Sequence, residues 1–96
     1  MSEGKYMKAE HIQVVADRLL AILFDGLAQK NISIFEALGS AFYVAEKIQI
    51  GAESIGLSSE TCAVIEESMK NAARQDVPKK LVEMLKKSLD ESRKGE

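Results

Sequence analysis

The sequence predicts an all-α domain, a four-helix bundle-like arrangement spanning residues 1–96, and three observations carry that prediction. Apolar residues recur at helical spacing in four successive segments, near 8–30, 34–55, 59–75 and 77–93. No stretch alternates apolar and polar residues long enough for a half-buried strand. The strongest punctuators interrupt no segment: Gly56 falls between the second and third, and the sole proline, Pro78, falls in the first turn of the fourth.

The first segment, EHIQVVADRLLAILFDGLAQK over residues 10–30, is the most apolar and organises the rest. At 100° per residue Ile12, Val15, Ala16, Leu19, Leu20, Ile22, Leu23 and Leu27 share one broad face. Only His11, Arg18, Asp25 and Gln29 form a polar stripe opposite, so this helix is expected at the centre of the fold. The thirteen residues from Ile12 to Phe24 are too few for a membrane span of ~20 residues, and Asp17 and Arg18 among them would be costly in hydrocarbon. Gly26 on the apolar side predicts a close helix crossing, and Asn31 is the candidate for the left-handed stop.

Ser33 and Glu36 have the S-x-x-E spacing of a capping box, the firmest boundary in the chain. Beyond it Ile34, Phe35, Leu38, Ala41, Phe42, Val44, Ile48 and Ile55 share one face of the second helix. The short link to the first helix predicts an antiparallel αα-hairpin. Gly51 is a candidate bend and Gly56 a good C-terminal stop.

Ser58 or Ser59 is expected to cap the third helix, with Glu60 favourably placed in its first turn. Its seam is thin, made of Cys62, Ile65, Met69, Ala72 and Ala73, and Glu66 with Lys70 forms an exposed i,i+4 pair. Pro78 ends it and suits the first turn of the fourth helix, for which Asp76 is the expected N-cap. Leu81, Val82, Met84, Leu85 and Leu89 give that helix one apolar side, with lysines dominating the other. Frayed ends are expected near 1–7 and 92–96.

Charge and cysteine usage narrow the function. A net charge of -2 creates no field that would collect nucleic acid or anionic lipid. Residues 1–48 carry five basic and six acidic groups and residues 49–96 carry eight and nine, so neither half is a charged tail. The single cysteine, Cys62, excludes an internal disulfide and a cysteine-rich zinc site. The opening MSEGKYMK lacks the apolar run of a signal peptide, which makes a cytoplasmic location the default expectation.

Catalytic constellations are poorly supported. His11 is the only histidine, and its natural nucleophile, Cys62, lies on an apolar seam where thiols are usually inert. Bundle di-metal sites need two Glu-x-x-His motifs, more than one histidine supplies. No phosphate-binding glycine loop is present, and Glu83, Asp90 and Glu91 interrupt the lysines of the fourth helix. The expectation is therefore a chain without catalytic chemistry, metal or cofactor.

Two local likenesses remain. Residues 52–69, AESIGLSSETCAVIEESM, resemble a helix-turn-helix, with small Ala52, a turn at Gly56-Leu57-Ser58, and Ile55 and Ile65 setting the angle. That resemblance implies a DNA-binding regulator using residues 52–75, with Ser59, Lys70 and Arg74 as contacts. Against it, the would-be recognition helix presents Glu60, Glu66 and Glu67 before its first cation, and carboxylates repel phosphates. Leu38-Gly39 with Phe42 resembles the opening of a tetratricopeptide repeat, with Gly51 at its small position. No second copy follows, and such repeats need about three.

The favoured expectation is a small non-catalytic protein-interaction or oligomerisation module, homodimeric and cytoplasmic. A DNA-binding regulator is the alternative, with nucleic acid the less favoured partner and an unidentified protein partner still open. The positive element of the module reading is the apolar excess of the first two helices, more than the thin third helix covers. Val14, Ala21, Phe24 and Ala28, which flank the first helix's main apolar face, are the expected contact residues.

Overall fold

The structure, a computed structural model, describes residues 7–94, and expectations for 1–6 and 95–96 lie outside that range. Four helices follow in order: α1 (Ala9–Ala28), α2 (Ile34–Ser54), α3 (Ser59–Gln75) and α4 (Lys79–Lys94). The domain is all-helical and bundle-like, with no strand among the described residues. α4 runs on through Lys94, so Ser92–Lys94 are helical where fraying was expected.

Local chemistry accounts for the helix ends. Between α1 and α2 the capping box is complete: the Ser33 hydroxyl accepts from the Glu36 N–H at 3.2 Å, and the Glu36 carboxylate accepts from the Ser33 N–H at 2.9 Å. α1 ends in a reciprocal pair, the Asn31 N–H donating to the Gly26 carbonyl at 2.9 Å and the Lys30 N–H to the Leu27 carbonyl at 3.1 Å. That geometry puts the left-handed conformation on Lys30 (φ 61) and not on Asn31, because the motif counts from the last helical residue, Ala28. Gly26 is also reassigned. A Cβ there would meet the Ile32 side chain at 3.0 Å, so its role is to admit the returning loop rather than a crossing helix.

α2 passes through Gly51 without interruption and closes on Gly56, whose φ of 111 suits glycine. The Leu57 N–H donates to the Ala52 carbonyl at 3.0 Å and the Gly56 N–H to the Glu53 carbonyl at 3.2 Å. Ser58 caps α3, its hydroxyl accepting from the Thr61 N–H at 3.0 Å. Asp76 is not the N-cap of α4. It ends α3 with a backbone outside the helical region, and Val77 is kept out of that region by the proline that follows. α4 consequently begins at Lys79, two residues later than the pattern predicts, with the Pro78 carbonyl accepting from the Leu81 and Val82 N–H groups.

The packing is open. α1 meets α2 and α4, and α2 also meets α4, whereas α3 packs against no helix to a comparable extent. Among the described residues the buried apolar set is only Leu27, Ala37 and Cys62. α1 is central near its C-terminal end alone, since Val14, Val15, Leu19, Leu20 and Ile22 are exposed. The radius of gyration, 15.7 Å, exceeds the about 12.5 Å of a compact chain of this length. The extents of 50 × 26 × 18 Å describe an elongated molecule.

Candidate interaction surface

The junction of α1, α2 and α4 is the best-tied part of the molecule. Leu27 and Ala37 are buried close to it. The Ile34 N–H, unpaired within α2 because it opens that helix, donates to the Ser88 hydroxyl of α4 at 2.8 Å. Lys30 Nζ reaches Glu91 Oε2 at 2.8 Å. This hydrogen-bonded pairing holds the Lys30 ammonium above the usual lysine value and the Glu91 carboxyl below the usual carboxylate value. Neither residue stands out in sequence. Ser88 does carry a signal, as a lone hydroxyl amid the apolar side formed by Leu81, Met84 and Leu85.

Away from this junction the helices carry uncovered apolar faces. On α2 Phe35, Leu38, Phe42, Val44 and Ile48 are all exposed, with Phe42 and Ile48 each at 67%. The total accessible area, 7942 Å², stands against about 5,400 Å² for a folded chain of 10.5 kDa. Deducting about 1,300 Å² as the whole exposable area of the eight residues outside the described range still leaves an excess of more than about 1,000 Å². Exposed single apolar side chains are ordinary; an excess area of this size is not.

The four residues expected at a contact divide in two. Val14 and Ala21 are exposed, Val14 at 50%. Phe24 is half-buried, and with Ala28 it lines a crevice against α4 beside Met84 and Lys87. α4 therefore already takes part of the surface that the α1 pattern assigned to a second chain. The crevice is rimmed by Lys30, Lys80 and Lys87 but also by Glu83 and Glu91, a mixture that selects no charge of ligand.

Of the residues named for DNA contact, Ser59 opens α3 and Arg74 lies in its last turn. Lys70 is paired with Glu66 at 2.8 Å, a hydrogen bond that raises its pKa and neutralises its charge locally. Cys62 is buried at the α2–α3 corner. Burial first, and then the neighbouring Glu53 carboxylate, push its pKa up, which keeps the thiol protonated and unreactive. Among the described residues no group of three or more histidine, cysteine or acidic side chains is placed to hold a metal. No helix of the described range is long and apolar enough to cross a membrane.

Comparison with protein-family models, with curated proteins and with solved structures finds no match to this chain.

Proposed function

We propose that this chain is a non-catalytic, cytoplasmic homodimerisation module whose two-fold interface is formed chiefly by α1 and α2. The observation that supports it is the excess accessible area, together with the exposed aliphatic and aromatic side chains of those two helices, which carry most of the large apolar residues left exposed among the described residues. A standard interface removes ≈ 800 Å² per partner, which the excess matches or exceeds. A second copy is the favoured occupant because a two-fold contact covers the same liability on both chains with one self-complementary surface.

The test is sedimentation at micromolar concentration of the wild type and of Ala21→Glu, which sets a charge on the exposed side of α1. A wild-type dimer weakened at least tenfold by the substitution is the expected result. A wild-type monomer would overturn the proposal and turn attention to an unrelated protein partner. A dimer indifferent to Ala21→Glu would retain the module and move its interface off this side of α1.

A further inference from the structure

Three helices of each chain carry apolar surface without a partner. The N-terminal half of α1 leaves Val14, Val15 and Leu19 exposed, α2 leaves Leu38, Phe42 and Ile48, and α3 makes no extensive contact with another helix. Along the α3 seam Cys62 is buried, Ile65 and Met69 are half-buried, and Ala72 is exposed. Coverage thus fades along α3 with distance from the corner.

The corner between α2 and α3 is set locally. The bonds that set it, from Gly56 and Leu57 to the last turn of α2 and from Thr61 to the Ser58 hydroxyl, all join residues within five positions of one another. They aim α3 before any long-range contact contributes. The chain has a firm local turn followed by a helix with an uncovered seam, the arrangement in which an identical element is readily exchanged between protomers.

Resting on the homodimer reading, we propose that the two copies interlock. Each α3 lies across the exposed α1 and α2 faces of its partner, and folding and association are a single event. At 7942 Å² the chain hides only about half of the roughly 15,200 Å² its unfolded form exposes, less than the about 60% of a marginal 60-residue domain, which leaves little to offset the entropy of ordering four helices. Burying the excess area of two chains brings the pair to roughly 2,000–5,000 Å², the class of obligate dimers whose subunits have no stable folded state alone. The occupant is a second copy rather than a foreign helix because the α3 seam and the α1 and α2 faces need covering together and belong to the same chain.

The experiment is urea unfolding followed by circular dichroism at 1 μM and 100 μM protein, on the wild type and on Ala72→Glu. With coupled folding, a hundredfold rise in concentration adds about 2.7 kcal/mol, which lifts the urea midpoint by roughly 1 M at a slope of about 2.5 kcal/mol/M. Ala72→Glu should raise the dissociation constant at least tenfold, although Ala72 touches solvent in the isolated chain and its replacement there would be neutral. A dimer with a concentration-independent midpoint would overturn the interlock and leave the homodimer standing. A concentration-dependent midpoint indifferent to Ala72→Glu would overturn the role of α3. A monomer that unfolds cooperatively would remove the homodimer reading itself.

Discussion

The Ile34 amide and the Ser88 hydroxyl, 54 residues apart in the chain, are joined by a 2.8 Å hydrogen bond. Ile34 opens α2, where the first amides lack partners within the helix, and Ser88 sits on the side of α4 that faces this junction. One turn further along α4, Glu91 reaches Lys30, the left-handed residue that ends α1. Three helix termini or midpoints are thereby tied together by two side chains of a single helix.

Ser88→Ala leaves the part-buried Ile34 amide without its partner. The expected loss is about 1 kcal/mol, the typical net value of such a bond. Denaturant melts of the two proteins at equal concentration check it, and identical midpoints would mean that water replaces the hydroxyl without penalty.

Leu27→Ala removes the largest buried aliphatic side chain at the same junction and should destabilise by ~2 to 5 kcal/mol. Lys87→Ala, at an exposed position on the rim of the α1–α4 crevice, should change stability by less than ~0.5 kcal/mol. The same melts distinguish them. Similar effects would show that the α1–α4 junction is not where stability is concentrated.

The Lys30–Glu91 pair gives a prediction in pH. Glu91 is held below its ordinary value of 4.5, so its contribution is present above that value and is lost as pH falls through the lowered one. Lys30 is raised above 10.5, so its contribution is present below that value and is lost as pH rises through the raised one. The stability difference between the wild type and Glu91→Gln should therefore be level across neutral pH and close at both acid and alkaline extremes. High salt should shrink it, since both groups are exposed. A difference that persisted unchanged in strong acid would assign the effect of Glu91 to packing instead of charge.

Much of the architecture was legible in the sequence because it is written in short-range chemistry. The Ser33–Glu36 box, the Gly56 stop, the α3 cap, expected at Ser58 or Ser59 and found at Ser58, and the Glu66–Lys70 pair each involve residues within five positions of one another. Two local readings moved by a residue or two. Lys30 rather than Asn31 took the left-handed conformation, since the position relative to the last helical turn outweighs residue preference. Asp76 closed α3 instead of opening α4, since the residue before Pro78 is barred from the helix. The candidate contact residues were legible only as apolar positions on a helix; that Phe24 and Ala28 turn to α4 while Val14 and Ala21 do not is invisible to periodicity.

By itself the sequence determined four helices, where most of them begin and end, and which side of each is apolar, because propensity, capping and periodicity act within a turn or two of chain. Only the tertiary structure decided which apolar sides meet. It placed α4 against the α1–α2 junction, where Ser88 and Glu91 find Ile34 and Lys30, and it left α3 and the N-terminal half of α1 uncovered. The physical reason is that burial is non-directional: an apolar face requires cover but does not specify its partner, and the choice falls to the few polar contacts and turn geometries that are compatible with one arrangement of the whole chain.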